Sequence, residues 1–161
     1  MANEQALAGI QHRLLSSEAI QRVVGTDGAT LAVNGPGQAI TLAALQEISD
    51  APVIVITPTM RDAEALAHDL ACFFPQADHA AQPGASLDDV VLFPSWDTLP
   101  LERVSPDVAT MGQRLAVRWR LASPTPPAIV VAPVRALLQR LPQETLTPLV
   151  VSKAMSSHQA L

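Results

Sequence analysis

Four β-branched apolar residues in a row, Val53-Ile-Val-Ile56, followed by Thr57 and set between Pro52 and Pro58, constrain this chain more than any other feature. Such side chains lose rotamer freedom in a helix and pack well on a pleated surface, so the run reads as a strand. A strand with one face in water alternates apolar and polar residues, and this one does not. The missing alternation predicts burial on both faces, as in a parallel sheet covered by helices.

Parallel strands need long crossovers, and the chain supplies them. After Pro58, Thr59 is placed to cap a helix with Asp62 in its first turn. Met60, Ala63, Leu66, Ala67, Leu70 and Phe74 share one face of that helix, and Pro75 ends it. Residues 29–33 (Ala-Thr-Leu-Ala-Val) predict a buried strand, with a helix over 38–48 carrying Ile40, Leu42, Leu45 and Ile48. Residues 90–93 and 128–132 (Ala-Ile-Val-Val-Ala) predict two further strands, the second followed by a short helix over 133–141. Ser105-Pro106-Asp107 carries a capping serine, a proline at the first helical position and an early acid, so a helix is expected from there. Its spacing turns Val108, Met111, Leu115, Trp119 and Leu121 inward and Gln113, Arg114, Arg118 and Arg120 outward.

The ends are plainer. Leu7, Ile10, Leu14 and Leu15 mark a helical stripe over 4–15, broken at Ser16-Ser17 before a short helix at 18–24 and a turn at 25–28. Residues 76–86 and 123–127 read as connectors, and 149–152 as a last edge strand. Alternating strands and helices predict one α/β domain over 1–161, a three-layer sandwich with a mostly parallel sheet and right-handed crossovers.

Composition removes several functions. A free-standing nucleic-acid binder shows a basic footprint, because phosphate neutralisation supplies most of the affinity; here the net charge is −5 and Lys153 is the only lysine. A single cysteine, Cys72, allows neither a disulfide framework nor a cysteine zinc site, and its place in a helical apolar pattern suggests a buried small hydrophobe. His12, His68, His79 and His158 have no metal-ligand spacing. The longest apolar runs fall far short of a membrane span, and no basic stretch precedes an apolar one at the N-terminus, so no membrane is expected and a reducing cytoplasm is the expected setting.

The place to test for an enzyme is Asn34-Gly35-Pro36-Gly37, a glycine loop between strand and helix where a phosphate-binding loop sits in nucleotide-binding domains. Such a loop needs backbone amides, then a lysine on the phosphates and a Ser/Thr on magnesium. Here Gln38-Ala39-Ile40-Thr41 follows, Pro36 removes one amide, and no strand ends in a metal-binding acid; Asp88-Asp89 precedes a strand. A Rossmann site lacks one of its three glycine positions. Gly35 and Gly37 therefore predict a tight strand-to-helix turn, with no catalytic residue, no metal and no cofactor site.

Residues 93–106, Phe-Pro-Ser-Trp-Asp-Thr-Leu-Pro-Leu-Glu-Arg-Val-Ser-Pro, resemble the Phe-Pro-x-Trp-Glu/Asp-Thr-Leu-Pro-(four residues)-Ser-Pro signature of bacterial transcription-repair coupling factors. The likeness runs on through Gln113-Arg114-Leu115, backward to residues 53–59 with Ala63, Leu66 and Leu70, and forward over 128–139, so that it covers roughly 5–161. The layout also resembles the first domain of UvrB, the damage-recognition component of excision repair, which has a working nucleotide loop and a long damage-probing hairpin. This chain has neither the Gly-Lys-Thr step nor more than a short loop at 95–105.

The resemblance implies a degenerate P-loop, RecA-like helicase domain that has lost its motor chemistry, at the N-terminus of a much larger protein. The whole family protein is implied to use ATP and magnesium at a motor elsewhere, to translocate on duplex DNA, to displace stalled RNA polymerase and to recruit the A component of the excision-repair machinery. The domain's counterpart in the family is implied to pack against other domains of the same protein and to hold the resting state repressed. The chain is therefore expected to be a fragment acting as a scaffold and intramolecular interaction domain. Trp96, Asp97, Leu99, Leu101 and Arg103 form its candidate docking surface, and the alternative for Trp96 is a lid over the domain's own sheet. Two other readings stand beside it, an independent helicase-like nucleotide or DNA binder and a domain that needs its continuation to fold.

Overall fold

The computed structural model describes residues 10, 13–24, 26–74, 89–98, 105 and 107–139. In chain order the elements are α1 (Glu18–Val23), α2 (Gly35–Glu47), β1 (Val53–Thr57), α3 (Met60–Ala71), β2 (Val90–Leu92), α4 (Val108–Leu121), β3 (Ile129–Pro133) and α5 (Val134–Leu138). The three strands form a parallel sheet in the order β1-β3-β2. Ile129 is in register with both Val53 and Val90, so the last of the described strands in sequence lies between the other two in space.

The sheet separates two cores. On one face Ile129 and Val131 pack with Ala39 and Ala43 of α2 and Ala63 and Leu70 of α3, and Val53, Val55, Val90 and Leu92 close around them. On the other face Val130 and Ala132 meet Phe93, Val117 of α4 and Ala136 of α5. Helices thus cover both faces, and the expected three-layer α/β sandwich with a parallel sheet is present. The small residues of α2 let its backbone pack closely against α3: Ala39, Ala43 and Ala44 are all buried.

Short polar side chains start the helices. Ser17, Thr59 and Asp107 accept the backbone N–H of Ile20 (3.4 Å), Asp62 (3.1 Å) and Thr110 (3.1 Å), each satisfying a donor that has no partner within its helix. The Thr59 cap, the short helix at 18–23 and the turn with Gly28 at φ 73° fall where expected.

Several expectations differ from the structure. Residues 29–33 join no ladder; they run into the cap of α2 with Leu31 and Val33 turned inward and half-buried. β1 is not buried on both faces. It lies at the edge of the sheet, α4 and α5 cover the β3 side, and Ile54 and Ile56 are 57% and 58% exposed. The cap of α4 is Asp107 and not Ser105. The inward face of α4 is Arg114, Val117 and Arg120, while Val108 is 78% exposed and Met111, Trp119 and Leu121 also face outward. Apolar spacing misjudges α4 because an arginine can bury its methylene stem and stack its planar head on rings. Cys72 is exposed at the C-cap of α3, while its neighbours Phe73 and Phe74 pack against the core. The expected helix at 4–15, the edge strand at 149–152 and the connector at 76–86 lie wholly or mostly outside the described residues.

This arrangement makes the middle strand costly to alter and the bare face of β1 cheap. Ile129→Ala is expected to lower unfolding free energy by about 2–5 kcal/mol, while Ile54→Thr changes it by no more than about 0.5 kcal/mol. Urea unfolding of the two variants checks the contrast.

Candidate functional site

The glycine segment is not a loop. Asn34 is extended (φ −69°, ψ 156°), Gly35 and Pro36 are the first two residues of α2, and the helix begins three residues before the expected start. The Asn34 side chain accepts the Gly37 N–H at 3.1 Å, and the Asn34 carbonyl lies 2.9 Å from the same nitrogen. A Cβ on Gly37 would stand 2.6 Å from Asn34 Oδ1 and 3.0 Å from Val33 Cγ1, whereas one on Gly35 would meet nothing within 4 Å. Gly37 is therefore small so that the cap can close over it. At a phosphate-binding helix start the first amides point free toward an anion; here Pro36 has none and Gly37 donates to Asn34.

In front of this helix start lies a groove of about 740 Å³ between α2 and α3, over the C-terminal end of β1. Asp62 and Asp69 of α3 line it, and no lysine, arginine or histidine among the described residues does. Phosphate would meet carboxylates there with no described cation to offset them.

The second expected region, around Trp96, is anchored from three sides. Phe93 prolongs β2 by donating its N–H to the Val131 carbonyl at 2.8 Å, and its ring is buried. Trp96 donates its backbone N–H to Gln139 Oε1 at 2.7 Å, and Gln139 Nε2 donates back to the Trp96 carbonyl at 3.4 Å. The Gln139 amide thus pairs with the Trp96 backbone as a neighbouring strand would. The guanidinium of Arg114 lies over both rings, 4.2 Å from the Phe93 centroid and 4.6 Å from that of Trp96, and its Nη1 donates to the Pro94 carbonyl.

Arg114 is 2% exposed, and its Nε and Nη2 have no hydrogen-bond partner among the described residues. Burial, and then the neighbouring Arg118 charge, hold its pKa below the ordinary arginine value. A cation over two ring faces is stabilised by their quadrupoles by about 0.5–2 kcal/mol, which offsets part of that cost. Trp96 is half-buried over the arginine, Asp97 is exposed, and Leu99, Leu101 and Arg103 lie outside the described residues. Sequence reasoning missed Arg114 and Gln139 as parts of this region. Each reaches it across at least 18 residues of chain, and neither carries a local signal for doing so. The result is a fixed aromatic shelf at the C-terminal end of β2.

No protein-family model matches the chain. Over 146 residues it is 35% identical to the transcription-repair-coupling factor of Mycobacterium bovis, and equally so to that of Mycobacterium tuberculosis, covering 85% of this chain. The chain belongs to the transcription-repair-coupling factor family. The coupling factor of Myxococcus xanthus is 29% identical over 132 residues, or 82% of this chain. The chain spans only 11% of the length of the two mycobacterial coupling factors and 10% of that from Myxococcus.

Two substitutions test these geometries. Asn34→Ala removes the cap of α2 and is expected to lower stability by about 1 kcal/mol in urea titrations. Arg114→Ala takes away the support under Trp96. In a Trp119→Phe background it should raise acrylamide quenching of the remaining tryptophan and lower stability by about 2–4 kcal/mol. Arg114→Lys is not expected to restore either, because an ammonium has no plane to stack between two rings.

Proposed function

We propose that this chain is a non-catalytic N-terminal α/β domain of a transcription-coupled DNA repair factor, serving as a scaffold and as an interaction surface for other domains of the same polypeptide. The observation that carries the reading is the closed start of α2, where Asn34 holds the Gly37 amide and Pro36 offers none. A helix start whose Gly37 amide is taken by its own cap, in a groove lined by Asp62 and Asp69 and by no described lysine, supports this reading, because a nucleotide loop uses free amides and a lysine on the phosphates. The family relationship supports the repair context, since the relatives are named for coupling transcription to repair. ATP hydrolysis, movement along duplex DNA and engagement of RNA polymerase and of the A component of the excision-repair machinery belong, in this reading, to other parts of the whole protein. The anchored shelf of Trp96 suits a docking role, because a rigid aromatic contributes contact area at little entropic cost.

The test is direct. A fluorescent ATP analogue with magnesium is expected to show no saturable binding to the chain, before or after Gly37→Ala. Saturable binding that this substitution abolishes would overturn the non-catalytic reading. Duplex DNA titrated at several salt concentrations is expected to show no salt-dependent binding; a steep fall in affinity with salt would favour an independent DNA-binding domain instead.

A further inference from the structure

Two helix faces line the groove between α2 and α3. Gln38, Thr41, Leu42 and Leu45 form the α2 wall, and Asp62, Ala65, Leu66 and Asp69 form the α3 wall. Each set follows the spacing i, i+3, i+4, i+7, the single face that a helix presents to a helical neighbour. Val55, Ile56 and Thr57 at the end of β1 line it below, and Leu31 and Val33 of the segment before α2 line it as well. Two such faces set side by side over an apolar floor make a seat for a third helix, with its apolar stripe in the middle.

Charge narrows the occupant. The α2 wall is uncharged. The α3 wall bears two carboxylates seven residues apart, about 10 Å along the helix axis. Thr59 Oγ1 donates to Asp62 Oδ2 at 2.7 Å, which leaves Oδ1 free to accept from elsewhere. An anion or a nucleotide would be repelled. A second copy of this chain fits poorly, because the net charge is −5 and no described helix presents two exposed arginines or lysines seven residues apart.

We propose that this groove is the docking site for an amphipathic helix of another polypeptide segment. The helix would lay an apolar stripe on Leu42, Leu45, Leu66 and Val55, and would carry arginine or lysine seven residues apart against Asp62 and Asp69. The proposal rests on the reading of this domain as an interaction module and assigns a surface separate from the Trp96 shelf. The degenerate nucleotide position thereby acquires a different use. The site over the end of β1 is retained, and its ligand becomes a cationic apolar helix.

Two synthetic 18-residue helices of equal composition test it against the whole chain. Both carry the same leucine stripe; one places its two arginines seven apart beside the stripe, and the other places them on the opposite face. The first is expected to bind saturably, to shift amide resonances of α2 and α3, and to bind at least tenfold more tightly than the second. Its affinity should fall up to about fivefold with Asp69→Asn, the upper worth of one solvent-exposed ion pair, and further with added salt. Ala65→Arg, at an exposed helical position that lines the groove, should abolish binding while leaving thermal unfolding unchanged. Equal binding of the two peptides, no binding of either, or binding indifferent to Ala65→Arg would overturn the proposal. Self-association of the chain that Ala65→Arg removes would overturn it in favour of a second copy. A failure here beside an absent ATP signal ends the groove assignment alone and leaves the non-catalytic reading standing.

Discussion

A strand whose five residues are all buried has no water for its amides on either edge or for its side chains on either face, and β3 is such a strand. Its backbone groups must be met by strands on both sides, which β1 and β2 do in parallel register. Its side chains must be met by helices above and below. Ile129 and Val131 point to α2 and α3, while Val130 and Ala132 point to α4 and α5. The three layers follow from that one requirement. The outer strands carry a lighter one: β2 has only three residues, and β1 leaves Ile54 and Ile56 uncovered.

Arg114 shows how the same interior tolerates a charge. A buried cation is costly, and among the described residues Arg114 is held by a pair of rings and one carbonyl, all supplied by residues 93–96. The contact works in both directions. The rings shield the guanidinium, and the guanidinium fixes where the chain runs as it leaves β2. With Gln139 holding the Trp96 backbone from the far side, the aromatic segment becomes a rigid part of the sheet's C-terminal rim. The two readings of Trp96, as a lid and as a docking surface, are therefore compatible: its inner face covers Arg114 and the residue stays half-exposed.

At the same rim, the start of α2 shows how a glycine can serve a helix cap. The glycine remains, because Asn34 needs the room above Gly37, yet the amide that would greet a phosphate is turned to the cap. The neighbouring carboxylates then give the groove a sign opposite to the one a nucleotide requires. Membership of the coupling-factor family and the capped start of α2 are independent observations, one from the sequence and one from local geometry.

Much of this was present in local order. The β-branched runs at 53–57 and 129–131, the Thr59 cap and the stripe of α3 are each set by neighbours within one or two turns, so residue type and spacing suffice to place them. The family signature at 93–106 is likewise written in consecutive residues. What the sequence alone could not determine depends on which distant segment comes to lie beside which. That β3 takes the centre and β1 the edge decides that Ile54 and Ile56 stay bare although their side chains are as apolar as those of Ile129. That two rings arrive over residue 114 decides that an arginine turns inward and Trp119 outward on the same helix. Spacing records a side chain's polarity and the face it occupies. Whether that face meets water, a ring or a carbonyl is a property of the neighbours, and only the tertiary fold supplies them.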